Sequence, residues 1–341
     1  MRNLKLIDKF IFILNSVFAF ALLLSYLLPH TPPKTFPLLS VLSLGVPLLI
    51  LSNFIFLVFW VLRFKRQLLL SLIVLALGYN YVFSWFQFNG DTDVIEGNDL
   101  NIMSYNVRMF NAYEWVKDDD IPEKILTFIA DKDPDVLATQ EHAIGYKGIP
   151  KIYPYEYIVL KEKASEFGSA IFSKYPIINK GSVNFPHDGN NNAIFVDIVK
   201  KEDTLRVFNV HFQSLNIKAG IDDLQKEDSK KLMGRIGYGF KLQQTQAEMM
   251  MEEVNNSPYK TIIIGDFNNT AFSYIYNEIK GSRFNDAFLE VGSGFGQTFN
   301  LNYFPLRIDF AMIEKSIHID NFKVFPVKYS DHFPILVNLS L

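Results

Sequence analysis

The sequence predicts an α/β fold in which two mixed β-sheets pack face to face under helices, preceded by three apolar helices that cross a membrane. Three observations predict it. Short runs rich in Ile, Val and Phe recur through the chain after residue 100. Helix-like stretches separate only some of these runs, so several strands connect directly to strands, unlike a simple doubly wound sheet. Charge is split: seven of the 33 Lys/Arg but only one of the 36 Asp/Glu fall within residues 1–90, leaving that part at +6 and the remainder at −9.

The N-terminal ninety residues come first. Phe10 to Leu28, Phe36 to Leu62 and Gln67 to Gly90 carry no charge. A helix rises about 1.5 Å per residue, and about 20 apolar residues match the ~30 Å hydrocarbon core of a bilayer. Spans are expected near 10–28, 38–61 and 68–86. A cleaved leader is the rival for the first, but Pro29-His30-Thr31-Pro32-Pro33 lacks a small-residue cleavage pattern and two more apolar segments follow. Arg2, Lys5 and Lys9 precede the first span, Arg63, Lys65 and Arg66 follow the second, and only Lys34 lies between them. The positive-inside rule then puts the N-terminus in the cytoplasm, and three crossings put everything after residue 90 outside, periplasmic or extracellular. Asn15, Asn53 and Asn80 lie within the spans and suit helix–helix hydrogen bonding. No span holds an Asp, Glu, Lys or Arg, which argues against an ion pathway. Residues 91–99 read as a polar linker, and a domain follows over 100–341.

In that domain, strands are expected at 101–106, 135–140, 157–160, 169–173, 193–199, 205–211, 260–265, 308–313 and 333–339. Helices are expected at Pro122–Ala130, with Pro in its first turn, and at Leu242–Val254 and Phe272–Ile279. The polar, glycine-containing stretch 216–239 reads as a loop or a poorly formed helix start. With no cysteine in the chain, disulfides, thiolate nucleophiles and Cys-based metal sites are excluded.

Polar side chains close several of these runs. Asn106 ends LNIMSYN, Glu141 ends DVLATQE and His211 ends RVFNVH. Asp266 and Asn268 end TIIIGDFN, Asp309 sits in RIDFAMI, and Asp331-His332 precede FPILVNL. Singly, each has an ordinary explanation as a turn residue, a solvated strand end or a satisfied core histidine. Together they are the oxygen ligands and acid–base groups that suit a phosphate ester on a hard cation. His142 and Arg307 flank these residues and read as structural. Gly292, Gly294 and Gly296 do not have the spacing of a nucleotide-binding loop.

The order of these pieces resembles the endonuclease/exonuclease/phosphatase (DNase I-like) superfamily over about residues 100–341. The pieces are SYNVR, ATQE, FGSAIFSKYPI, FNVHFQS, IIIGDFNN, GQTF, RIDF and SDHFPI. The resemblance implies a four-layer α/β sandwich and a Mg²⁺- or Mn²⁺-dependent phosphodiesterase or phosphatase. It implies that Glu141 is the principal metal ligand, with Asn106 beside it and Asp331 completing the site. Asp266 and Asn268 would orient the attacking water and the phosphoryl oxygens, and His211 and His332 would face the phosphate. Asp309 would fix the tautomer of His332, and Thr298 would support the site from behind. Either Asp266 or His332 can take the proton. Arg108 stands where DNA-repair members carry an acid, and it fits either a substrate phosphate or a surface salt bridge.

Substrates implied by the resemblance are lipid head groups, small phosphodiesters and nucleic acid. A net charge of −9 after residue 90, without a Lys/Arg stripe, disfavours a dedicated duplex nuclease. Tethering at a bilayer favours lipid head groups or small extracytoplasmic phosphoesters. The reading of another class, an inactive membrane receptor or scaffold, has no use for a complete proton-transfer set.

Overall fold

Strand formation after residue 100 follows from alternation and β-branching, and it builds two six-stranded sheets. A computed structural model describes residues 5–89, 100–143, 149, 152–160, 167–186, 191–215, 228–301 and 304–341. The expected linker 91–99 and the stretch 216–227 lie outside these residues.

In chain order the helical unit comprises α1 (Leu6–Ser25), α2 (Pro37–Val41), α3 (Val46–Leu62), α4 (Leu68–Leu77) and α5 (Tyr79–Trp85). Strands β1 (Gln87–Phe88) and β2 (Leu100–Asn106) follow, then α6 (Ile121–Lys132), β3 (Val136–Ala143), β4 (Tyr155–Leu160), β5 (Phe167–Ser173), β6 (Ile177–Asn184), β7 (Asn192–Lys200) and β8 (Asp203–His211). The chain continues through α7 (Ser229–Asn255), β9 (Lys260–Asp266), α8 (Tyr274–Lys280), β10 (Phe284–Asp286), α9 (Ala287–Val291) and β11 (Ser293–Gly294). It ends with β12 (Phe299–Leu301), β13 (Phe304–Leu306), β14 (Asp309–Glu314), β15 (His318–Val324) and β16 (Ile335–Ser340).

One sheet has the order β15-β16-β2-β3-β5-β4 and the other β10-β14-β9-β8-β7-β6. Each has one parallel pair at its centre, β2 with β3 and β8 with β9, and antiparallel neighbours outside. Apolar residues of both inner faces, including Ile102, Val136, Ile171, Val196, Val207, Ile264 and Val337, form the core between the sheets. The outer face of the first sheet packs on α6 through Ile121, Ile125 and Ile129. That of the second packs on α7 and α8 through Phe240, Met250, Ile275 and Ile279. This is the four-layer sandwich expected from the sequence.

Three strands of the two six-stranded sheets were not visible in the apolar pattern. Strand β6 mixes exposed polar residues with half-buried ones at a sheet edge. Strand β15 is also at an edge, and β10 has only three residues. The stretch expected to be a loop up to residue 239 is instead helical from Ser229, capped by the Asp228 carboxylate accepting from the amides of Lys230 and Lys231. Gly237 on this helix lets α2 approach closely, since a Cβ there would lie 3.2 Å from the Pro37 carbonyl oxygen.

Of the three expected spans, two are single helical stretches long and apolar enough to cross a membrane, Leu6–His30 and Pro37–Leu62. The third, expected over 68–86, is not one straight helix: α4 and α5 meet at a bend of 80°. The bend sits at Gly78, where a Cβ would lie 2.1 Å from the Tyr26 ring, so only glycine lets the end of α1 pack into the corner. Inside the bundle Asn15 donates to Ser71 at 2.7 Å and accepts from Trp60 Nε1 at 3.0 Å, and Asn53 donates to the Phe18 carbonyl at 3.2 Å. Asn80 is exposed on α5, outside this network. Asp8 is buried against Arg63 at 2.6 Å, so the start of α1 and the end of α3 lie together. The sandwich domain docks at the opposite end of the bundle. Lys34 pairs with Glu248, Tyr81 stacks on Phe272, and Phe272 itself is buried among Ala19, Leu22, Val46 and Val74. The ten residues of α4, about 15 Å of helix, return the chain from the Arg63 end toward that docking end.

Candidate active site

The carboxyl ends of the two parallel pairs meet at one edge of the sandwich, and this edge gathers the polar residues. Asn106 ends β2, His211 ends β8 and Asp266 ends β9. Asp309 begins β14 directly opposite Asp266 in the antiparallel ladder. Glu141 lies at a register shift between Thr139 and His142 of β3, with φ of 50°, a left-handed conformation uncommon for a side-chain-bearing residue. Such a bulge re-aims one side chain away from the alternation of its strand. Asn268 also has φ of 50°. Gly265 before Asp266 has φ of 144°, and a Cβ there would lie 2.1 Å from the Val210 carbonyl oxygen. Glycine is required for β8 and β9 to close up behind the site.

Asp266 is the hub. Its Oδ2 accepts from Asn106 Nδ2 at 3.1 Å and from Asn268 Nδ2 at 3.1 Å, and its Oδ1 accepts from the Asn268 amide at 2.8 Å. The Nε2 atoms of His211 and His332 stand 3.7 and 3.6 Å from the same Oδ2, too far to be held by hydrogen bonds. Asn106 Nδ2 also lies 3.4 Å from Glu141 Oε1, and His211 Nε2 lies 3.9 Å from that oxygen. His332 Nδ1 is held by both oxygens of Asp309, at 2.9 and 3.2 Å. The Thr298 hydroxyl accepts from the amides of Ile308 and Asp309, each at 3.0 Å, and fixes the start of β14.

Burial and charge put these groups in different protonation states. Burial pushes the Asp266 carboxyl up, Asp309 adds to this, and His332 opposes it. Burial also raises Glu141, although a quarter of its side chain remains exposed. His211 is pushed down to about 3 by burial and by His332. His332 would be lowered by burial, but Asp309 and Asp266 outweigh this and hold it up at about 10. The site therefore pairs a neutral imidazole with an imidazolium around a shared carboxylate.

Asp331 and Arg108 are the two expected residues that engage each other, at 3.2 Å, with about 30% of each side chain exposed. The Arg108 guanidinium also lies 4.3 Å from the Trp115 ring. Arg108, Met109, Phe110 and Asn111 all have φ between 43° and 64°. Burial of Phe110, whose ring packs 5.3 Å from His142, holds this run in place. His142 is buried and within 3.1 Å of the Thr139 hydroxyl, and Arg307 is buried on Asp286 at 2.7 Å, so both are structural as expected.

Other contributors were not singled out from sequence. The Ser330 hydroxyl donates to the Asn106 carbonyl at 2.8 Å and accepts from the His332 amide at 3.2 Å, tying the two ends of the site. Its place in SDH was the available signal. Asn192 stands across from His211 in the ladder, accepts from Ser169 at 2.6 Å, and buries its Nδ2 without a partner. Phe299 packs on the His332 ring at 4.9 Å. Nothing in the local sequence marks Asn192 or Phe299.

The donor set fits a hard divalent cation. Glu141, with Asp331 near enough to repel it, offers carboxylate oxygens, while Asn106 gives its Nδ2 to Asp266 and Glu141 and its Oδ1 to the Arg108 amide; burial, only partly offset by His332, raises both Glu141 and Asp266. Asp266, Asp309 and His332 also present ligand atoms within 4.8 Å of one another. Both Asp309 oxygens are taken by His332 Nδ1, so the Glu141 side suits an ion better.

A family model described as the endonuclease/exonuclease/phosphatase family matches residues 103–332, and one described as a domain of unknown function matches residues 8–85. No curated protein matches. Among solved structures, the chain is similar to an endonuclease/exonuclease/phosphatase family protein from Bacteroides thetaiotaomicron, at 19% identity and TM-score 0.56, over 70% of this chain and 97% of that one. It is similar to a mannosyl-6-phosphatase of Bacteroides thetaiotaomicron, at 19% identity and TM-score 0.53, over 71% and 100%. It is also similar to D. rerio TDP2 complexed with a single-strand DNA product, at 15% identity and TM-score 0.53, over 71% and 99%. At these identities the likeness is one of fold.

Proposed function

The chain belongs to the endonuclease/exonuclease/phosphatase family, and from that premise we propose that it is a membrane-tethered, divalent-metal-dependent phosphoester hydrolase acting outside the cytoplasm. The observation that carries this is the convergence of Asn106, Glu141, His211, Asp266, Asn268, Asp309 and His332 on one sheet edge, with His332 held by Asp309 at 2.9 Å.

Glu141 and Asn106, with Asp331, would hold Mg²⁺ or Mn²⁺, which when bound supplies positive charge to a phosphoryl oxygen. The remaining steps belong to protein groups. The structure bears on which group takes the proton. His332 carries its proton already, kept by Asp309 and Asp266. Asp266, whose affinity for a proton is raised by burial, is therefore the general base toward water, positioned by Asn268 and Asn106. His332 donates from Nε2 to the phosphoryl group and offsets its growing charge. His211 and the unpartnered Asn192 Nδ2 are further donors on the same edge. Arg108 neutralises Asp331 at rest and is free to turn toward an anionic substrate.

The loops at this edge are also those that meet the helical unit. Phe272 follows Asn268 into the bundle, and Phe295 and Arg307 flank Thr298 and Asp309. An ester borne at a bilayer surface therefore lies close to the site, which supports lipid head groups or small phosphoesters over duplex DNA. Read together as one broken crossing, α4 and α5 make a third traverse after Leu6–His30 and Pro37–Leu62, with Arg63, Lys65 and Arg66 on the cytoplasmic side.

A panel of phospholipid, sphingolipid, inositol-phosphate, sugar-phosphate and nucleic-acid substrates, assayed with purified full-length protein and Mg²⁺, tests this reading. Release of phosphate or a head group from a lipid or small ester is expected. Cleavage of DNA alone would reverse the ranking, and no hydrolysis of any ester would reject the reading.

A further inference from the structure

One loop connects the helical unit to the centre of the site. Ser293 and Gly294 pair with Phe88 and Gln87, the strand that directly follows α5, as a two-stranded antiparallel ribbon. Next, Phe295 packs 5.1 Å from Trp85 and 4.9 Å from Phe86, both at the end of α5. Thr298 then accepts the Asp309 amide at 3.0 Å, and its carbonyl accepts from Phe333 at 2.6 Å. Phe299 bridges His332 by backbone and by ring. The Asn300 amide donates to the Asp331 carbonyl at 2.8 Å. Within a few residues the chain passes from the helical unit to backbone or ring contact with Asp309, Asp331 and His332.

A second link runs in parallel. Arg307, two residues before Asp309, reaches the Ser84 carbonyl at 3.4 Å while its other nitrogen holds Asp286. Its guanidinium is stacked between Phe288, at 4.3 Å, and Phe310, at 4.6 Å, so it is rigid. Both links thus connect the Asp309–His332 pair to α5, the second while also anchored in the sandwich through Asp286.

We propose that the helical unit is a working part of the site: docking of α5 and β1 sets the loop 293–301, and Trp85 and Phe295 are positioning residues for Asp309 and His332. This rests on the hydrolase reading for its kinetic consequence but not for its structural one. A tether only has to hold on, and it would have no reason to pair with and pack upon the loop that carries Thr298 and Phe299. Catalysis needs the imidazole placed to within a fraction of an ångström, and a misplacement of about 1 Å can cost on the order of 10²-fold in rate. Phe295 is 41% exposed, so its truncation removes the contact without opening the core.

The experiment uses the full-length protein in detergent micelles. The variants are Phe295→Ala, Phe295→Tyr, and Phe64→Ala, a control at the far end of the bundle that is 94% exposed. Amide hydrogen exchange is read at Thr298, Asn300, Ile308 and Asp309, with β2 amides as an internal reference, and kcat and KM are read on a soluble aryl phosphoester. For Phe295→Ala, exchange at these amides should rise at least about fivefold with β2 unchanged. Its kcat should fall roughly tenfold with KM within about twofold. Phe295→Tyr should restore both, and Phe64→Ala should change neither. Wild-type exchange at the four amides in Phe295→Ala would overturn the proposal. So would an equal rise in β2, which would mean general destabilisation. A wild-type protein without hydrolytic activity would count against the hydrolase reading alone, leaving exchange to decide the coupling.

Discussion

Replacing Asp309 with Asn removes one charge from a buried ion pair of the site and keeps its shape. Asp309 and His332 are 3% and 5% exposed, with Nδ1 at 2.9 and 3.2 Å from the two carboxylate oxygens. His332 is raised from its ordinary value of 6.5 to about 10. At about 1.4 kcal/mol per unit this net shift is roughly 5 kcal/mol, what Asp309 and Asp266 supply beyond the cost of burying the ring. Asp309→Asn should therefore destabilise the domain by about 3 kcal/mol, within the ~3–5 kcal/mol range for breaking a buried pair. The sign with pH follows from the raised value. The contribution is full below the unfolded histidine value near 6.5, and it is lost as pH rises through about 10. Guanidinium unfolding of wild type and Asp309→Asn at pH 6 and above pH 10 should show the gap shrinking toward zero at the higher pH. An equal gap at both would refute the reasoning, because it would mean that Asp309 acts through packing and neutral hydrogen bonding. Activity at pH 7 should drop by about 10²-fold or more, as the imidazole loses its proton and its orientation.

Other outcomes are expected from the same geometry. Glu141→Gly should relieve a left-handed side-chain-bearing residue and a buried carboxylate, raising stability by about 1 kcal/mol while abolishing activity; lower stability, seen as a lower Tm, would contradict the strain. Gly265→Ala drives a Cβ to within 2.1 Å of the Val210 carbonyl oxygen, so a loss on the order of 3 kcal/mol and of all activity is expected by denaturant titration. Mg²⁺ at about a hundred times its Kd should stabilise wild type by about 2.7 kcal/mol but not Glu141→Ala, and an equal gain in both would remove Glu141 as a ligand. An alkaline-phosphatase fusion after Asn89 should be active, whereas an inactive one would reverse the orientation.

Much of the site was legible because strand-end chemistry is local: Asn106, His211 and Asp266 each close their own apolar run. Asp309 was legible as a partner of His332 only through the resemblance, since the two are 23 residues apart with the rest of β14 and all of β15 between them, and His332 is placed by a bridge to Phe299. Arg108 shows where local reading stops. Its ion pair with Asp331 depends on four successive left-handed residues after Asn106, a conformation that no residue type there announces. Asn192 was hidden for a similar reason, since its meaning comes from standing across from His211. In the fold, the central strands were visible because both faces are buried. The edge strands β6 and β15 were not, because exposed positions take polar residues. The bend at Gly78 could not be read from an uninterrupted apolar run, because its cause is the Tyr26 ring, far away in sequence.

This sheet edge is expected to hydrolyse phosphoesters with Asp266 as base and His332 as acid. Single-turnover hydrolysis of an aryl phosphoester by full-length protein, with Mg²⁺ and with chelator, comparing wild type with Asp266→Asn and His332→Ala, tests it most directly. Wild-type turnover is expected to need the metal and to fall by at least ~10²-fold in either variant. Undiminished turnover in either variant, or metal-independent turnover by wild type, would contradict it.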